Sequence, residues 1–441
     1  MLFQFLDRHK INTTPRASST SIPVSFHGEG EEEWSSSCGG VSMAGHGPPH
    51  TLLPSLQAHS SKGSLCFFHL HPKKHSQTSQ NTLTPLFSHQ TRFLPLPRLD
   101  NLPNEAESAT DVPYNKQLLL KRAFDLLELP LTDSWVAARF DISRAFFSCF
   151  NAATLAYIGP PAPLINGQDF RTKAEDFTLV PEWSHSSLTW RTGFTRLLSM
   201  YNVQVRTSPL HPIRSSDEFE PEWFNLLREL YGKGKPVVPV GVARQATSQL
   251  SDLHPVGPEA TLSQEELTEL ALGLELSGVP FFWVLRNPPE STQSVFEMLP
   301  HGFVERVEGR GVVHLGWAPQ VLILSHDSVG GFLTHCGWNS MIEGLGFGRV
   351  LILFPMVNDQ GLNARLGNNK GLGVEIPRIA QDGSFTCDSV AKLVRLAMVE
   401  DSGESLRIRA KEMKGLFGDR NRNNQIAMNS YAFLKRIAHQ G

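Results

Sequence analysis

At 441 residues the chain is long enough for two or three domains with cores of their own. A formal net charge of −3 and a pI near 6.6 exclude the strongly basic surface of a nucleic-acid-binding protein. The five cysteines (Cys38, Cys66, Cys149, Cys336, Cys387) are odd in number and unpaired in spacing, which argues against a disulfide scaffold and for a reducing compartment. The opening MLFQFLDRHK lacks an apolar core of signal-peptide length, and no apolar run of about eighteen residues follows it. The expectation is a cytoplasmic protein without a membrane span.

Residues 1–91 are rich in Ser, His, Pro, Thr and Gln and show no sustained apolar period, so this segment is expected to be disordered or aberrant. His69-x-His71 with His75 has ligand-like spacing, yet no carboxylate or Cys framework completes a tetrahedral set, and no metal is expected. From residue 92 to 240 elements become legible. Gln117–Leu129 has helical apolar spacing with a Pro beyond it, and Ala145–Leu155 suits a buried strand entering a helix. Within Phe219–Val240 a helix through WFNLLRELYGKG precedes a strand at PVVPV. Residues 241–258 read as a linker in which ARQATSQLSDL stands where an apolar strand would be expected.

From 259 to 420 the alternation is regular. Ser263–Ser277 is predicted as a helix, with Ser263 as N-cap, Glu266 completing a capping box and Gly278 ending it. Strands follow at Val279–Leu285, Gly311–Leu315, Gly330–Leu333 and Val350–Phe354. Helices are expected at Pro319–Ser325 and Trp338–Leu345. Such alternation implies a parallel sheet covered on both faces, with ligands beyond the carboxyl ends of its strands. Asp388 to the end is mostly helical, EMKGLFGDRNRNN reading as a broken connector and 421–441 as a terminal helix.

Trp317–Gln360 sets two Trp, a His, an Asn-Ser pair, a Glu and an Asp-Gln pair among apolar runs and Gly-rich turns. An indole can stack on a base, amides at a helix start can hold a diphosphate, and a carboxylate can accept ribose hydroxyls. Alone, each of these residues has a plainer reading. Trp317 and Trp338 could be core aromatics, Glu343 a solvated helix carboxylate, and Asp359–Gln360 a helix cap. Their joint spacing favours the site.

From WAPQ through FLTHCGWNS and the Glu to the closing DQ, the stretch closely resembles the C-terminal signature box of plant UDP-dependent glycosyltransferases of secondary metabolism. FLPLPRLDNLPNEAESATDVPY, AFFSCFNAATLAYIGPP, FEPEWFNLL and ATLSQEELTELALGLELSGVPFFWVLR look like its rhamnosyltransferase-containing branch. The resemblance covers most of residues 93–441. It implies an α/β protein of two Rossmann-like domains facing across a cleft (GT-B type), with 92–240 an incomplete acceptor-binding domain and 259–420 the UDP-sugar-binding one.

The resemblance also implies roles. Trp317 would stack on uracil beside Ala318 and Gln320, and His335 would reach a phosphate oxygen. Gly337 and Trp338 would shape the turn, with the Trp338 ring packing structurally, while Asn339 and Ser340 hold the diphosphate. Glu343 would accept the ribose hydroxyls, and Asp359 and Gln360 would hold the sugar, Asp359–Gln360 capping a helix as well. The implied reaction is inverting transfer from UDP-glucose or UDP-rhamnose to a hydroxyl of a small molecule such as a flavonoid or triterpenoid. It needs no metal and no further cofactor, and a monomer suffices. The alternative is a nucleotide-sugar-binding remnant without catalysis.

Three departures from the family pattern underlie that alternative. No histidine of residues 1–91 sits in the strand-to-helix context of the family's base. The Asp that would orient this base has no counterpart, since Asp141 aligns with a turn instead. Pro258 stands where a Ser is expected near the phosphates, and the apolar strand before it is largely replaced, so a neighbouring strand should be left with an open edge. No residue is assigned as the catalytic base.

Overall fold

The computed structural model describes residues 2–6, 97–103, 116, 119, 122–123, 126, 148–158, 211–231, 236–242, 262–285, 294–316, 318–356, 359–379 and 382–438. In chain order these carry β1 (Leu2–Leu6), α1 (Ala152–Ile158), β2 (His211–Ile213), α2 (Pro221–Tyr231) and β3 (Val237–Pro239). There follow α3 (Gln264–Ser277), β4 (Phe281–Leu285), α4 (Phe303–Arg306), β5 (Gly311–Leu315), α5 (Gln320–Ser325) and β6 (Val329–Thr334). The rest are α6 (Trp338–Gly346), β7 (Val350–Leu353), α7 (Gln360–Asn369), β8 (Gly373–Glu375), α8 (Cys387–Met398), α9 (Glu404–Phe417) and α10 (Arg420–Ala438). The helix expected at Gln117–Leu129 lies largely outside the described residues, as do the N-terminal histidines, Asp141 and Pro258.

The larger sheet has the order β5-β4-β1-β6-β7-β8. The pairs β4–β5, β6–β7 and β7–β8 are parallel, as the alternation predicts. Strand β1 departs from that scheme, lying between β4 and β6 and antiparallel to both. The expectation that residues 1–91 contribute no packed structure therefore fails for Leu2–Leu6, and β4 and β6 have no open edge facing one another. The physical reason is a slot with two unpaired ladders, which any short extended apolar segment can fill. Phe3 pairs with Trp283 on one side and Leu333 on the other. The Phe5 side chain is fully buried, in the cluster that holds Phe281, Trp283 and Leu333.

Helices cover both faces. Helix α3 begins with the expected capping box: the Ser263 hydroxyl accepts from Glu266 N–H, and the Glu266 carboxylate accepts from Ser263 N–H. Gly278 closes it at φ 65, a left-handed conformation that glycine adopts without steric cost. The broken connector expected at EMKGLFGDRNRNN is shorter than its composition suggests. Helix α9 runs unbroken through Phe417, because Met413, Leu416 and Phe417 are buried on one face, and only Gly418–Asp419 separates it from α10.

The smaller sheet pairs β2 and β3 in parallel, extended by a bridge from Ser148 to Ile213. Among the described residues, this bridge is what represents the strand expected before α1. Helices α1 and α2 pack beside the small sheet through Leu155, Ile213, Phe224 and Leu227. Helix α10 returns to this first half. Asn423 Oδ1 there accepts from Val242 N–H at 2.7 Å, and the Ser430 hydroxyl donates to the Pro239 carbonyl.

Candidate functional site

The site residues gather where strand ends from both sheets meet, the position at which parallel α/β sheets bind ligands. Strand β6 ends at Thr334 and the chain turns through His335, Cys336 and Gly337 into α6. Cys336 holds φ 65, which makes the turn tight. Gly337 is the N-cap, and among the described residues no side-chain cap hydrogen bond closes the helix start, which leaves the amides of the first turn available to an acceptor. A Cβ on Gly337 would lie 2.6 Å from His335 Nε2, so only glycine lets the imidazole lie over the helix start.

Trp338 is buried and donates its indole N–H to the Arg214 carbonyl at 2.8 Å. Its ring stacks on Phe219, and both rings meet Phe417 edge-on. This is the structural packing role expected of Trp338, and it joins α6 to the first half of the chain. Glu343, on the second turn of α6, accepts a hydrogen bond from Gln320 Nε2 of α5 at 2.5 Å, while Ala318 is buried just before α5. Trp317 lies outside the described residues.

Asp359 and Gln360 open α7 and are both buried. The expected side-chain cap by Asp359 is absent: it stands at the N-cap position but makes no cap hydrogen bond. Its carboxylate accepts from Asn363 Nδ2 at 2.8 Å instead, a fully buried amide that itself needs an acceptor. Asn363 also donates to the Cys336 carbonyl at 3.0 Å and accepts from Asn151 Nδ2 at 2.7 Å and from the Thr154 hydroxyl at 3.3 Å. A polar chain therefore runs from α1 to the Asp359 carboxylate. The Gln360 side-chain oxygen accepts from Met356 N–H at 3.0 Å, which fixes the loop before α7.

Four residues of this region were not singled out from the sequence. Arg214 follows β2, is buried, and donates to the Asn339 side-chain oxygen. Burial lowers its pKa, and the neighbouring Cys149 and Glu343 oppose that shift. Glu220 is fully buried and accepts from Ala153 N–H at 2.8 Å, Ala152 N–H at 3.3 Å and the Ser215 hydroxyl, closing the N-terminus of α1. Burial pushes its carboxyl up to about 7, against those hydrogen bonds and the charge of Lys370. Asn151 and Asn363 complete the set. The signal available in the sequence was a charged residue directly after an apolar run in HPIR, and a Glu placed immediately before Pro221.

Burial pushes the Cys336 thiol well up and raises that of Cys149. Both pack as neutral groups rather than as nucleophiles. The arrangement offers open amides and a guanidinium for an anion, a Gln–Glu pair for hydroxyls, and a second carboxylate held from both halves.

A family model described as "UDP-glucoronosyl and UDP-glucosyl transferase" matches residues 259–384. UDP-glycosyltransferase 91C1 of Arabidopsis thaliana is 46% identical over 399 residues, covering 77% of this chain and 84% of that protein. Soyasaponin III rhamnosyltransferase of Glycine max is 33% identical over 398 residues, 75% of this chain and 81% of that one. Among solved structures, apo UGT2 of Phytolacca americana superposes with a TM-score of 0.61 at 23% identity, over 84% of this chain and 92% of that one. That likeness establishes the GT-B fold.

Proposed function

Since the chain belongs to the family of plant UDP-glycosyltransferases, we propose that it binds a UDP-sugar at the start of α6 and transfers the sugar, with inversion, to a hydroxyl of a plant small molecule. The observation that carries this reading is the set of open amides after Gly337, flanked by His335 and Asn339, with the Gln320–Glu343 pair beside it. Phosphates lie on the amides of Asn339 and Ser340, where the helix dipole favours negative charge. His335 donates to a phosphate oxygen. Glu343 accepts the ribose hydroxyls in place of the Gln320 amide, Trp317 stacks on the uracil, and Asp359 and Gln360 receive the sugar hydroxyls. The donor is UDP-glucose or UDP-rhamnose, and the acceptor is a flavonoid, a triterpenoid or one of their glycosides. Relatives named for saponin and anthocyanin glycosides support that acceptor class.

A specific observation favours a second reading, donor binding without efficient transfer. Strand β1 completes the donor-side sheet, whereas the family resemblance implies that the chain's opening strand would carry the acceptor-side base. General-base assistance is worth about 10²–10⁴-fold, so transfer should run at least roughly two decades below that of a relative with its His–Asp pair. Chromatographic assays with UDP-glucose and UDP-rhamnose against flavonoid and triterpenoid acceptors test both readings. Glycoside formation at a rate near that of such a relative supports transfer. Donor binding with product formed about two decades or more slowly, or not at all, supports the second reading.

A further inference from the structure

We propose that Arg214 is a diphosphate-positioning residue, reaching from the first half of the chain to complete a donor site otherwise built by the second. This rests on the donor reading above. The residue sits directly after β2, at the carboxyl end of the small sheet, and is 6% exposed. Its place is fixed twice: its carbonyl accepts the Trp338 indole N–H at 2.8 Å, and its guanidinium donates to the Asn339 side chain. Trp338 and Asn339 are the first two residues of α6, so the guanidinium stands beside the open amides.

A guanidinium stays charged at any accessible pH, and its planar fork of donors matches phosphate oxygens two at a time. Burying it is costly unless anionic partners compensate. Glu343 contributes one such charge. In the donor complex Glu343 turns to the ribose, and the diphosphate takes over as the dominant anion facing Arg214. Asn339 then has two donors beside it, its own backbone amide and the guanidinium. Donor binding would thereby pull β2 and α6 together, since the cation and the amides come from different halves.

The test compares UDP with uridine by calorimetry on the full chain, in wild type, Arg214→Gln and Arg214→Lys. Uridine uses the base and ribose contacts but carries no phosphate. A merely structural arginine would weaken both ligands alike. The inference expects the UDP-to-uridine affinity ratio to fall about ten- to a hundredfold in Arg214→Gln, the range of a charge-assisted bond. Arg214→Lys keeps the charge but loses the fork, so its ratio falls by a smaller factor, and it decides the matter if the Gln variant does not fold. A ratio equal to wild type in the folded variants overturns the inference and leaves the donor site standing. Failure of wild type to bind either ligand overturns the donor reading and the inference together.

Discussion

Trp338 and Arg214 are joined by a hydrogen bond of 2.8 Å from indole N–H to carbonyl oxygen, although they lie 124 positions apart in the chain. The first residue of α6 is thereby tied to the end of β2 in the other half. The contact also carries the stacked pair Trp338–Phe219 and the edge contacts of both rings with Phe417.

Replacing Trp338 by Phe keeps an aromatic ring but leaves the buried Arg214 carbonyl without this donor. An unsatisfied buried polar group costs about 1–3 kcal/mol. The urea midpoint of Trp338→Phe should fall accordingly with the slope unchanged. A midpoint equal to that of wild type would show that the bond contributes nothing.

Strand β1 should matter to the second half of the chain. Phe5 is fully buried among Phe281, Trp283 and Leu333, and Phe→Ala in a core costs about 3–5 kcal/mol. Phe5→Ala should lower the thermal midpoint markedly, and removal of residues 1–7 should open β4 and β6 and promote aggregation. A truncated protein that melts like the full chain would mean that this slot is filled in some other way.

Glu220 gives stability a pH dependence. Its carboxyl is raised from an ordinary 4.5 to about 7, chiefly by burial. The folded state therefore holds a proton that the unfolded state has released. Its stability contribution is fully present below about 4.5, is lost as pH rises through about 7, and is flat beyond. The loss across that window is on the order of 3 kcal/mol. Glu220→Gln keeps an acceptor for Ala153 N–H and does not titrate, so its stability relative to wild type should rise between pH 5 and pH 8. Parallel denaturation curves for the two proteins at both pH values would contradict the assignment.

Much of the second half was legible because its determinants are local. Ser263 and Glu266 mark the start of α3 and Gly278 its end, each by a signal local to that end, and β4 to β7 are apolar runs bounded by turns. Strand β1 was not legible: five residues carry no usable period, and partners at Phe281–Val284 and Val329–Leu333 leave no trace beside it. The same holds for the polar links. Asn151 and Asn363 are 212 positions apart, and their bond depends on α1 and α7 packing side by side. The Asp359 cap was misread for a related reason. The residue type suits a cap, but a tertiary donor, Asn363, takes its carboxylate. The signature stretch pointed to residues 317–360, whereas nothing local in HPIRSS showed that Arg214 would meet Asn339.

The most direct test of the donor site is calorimetry of UDP binding to wild type and to Glu343→Ala. Glu343 accepts from Gln320 Nε2 at 2.5 Å, and in the proposed donor complex ribose hydroxyls take the place of that amide. Charge-assisted contacts of this kind are worth about 1.5–3 kcal/mol, so the variant should bind UDP roughly one to two decades more weakly. Equal affinity for UDP in the two proteins, or no binding by wild type, would contradict the account.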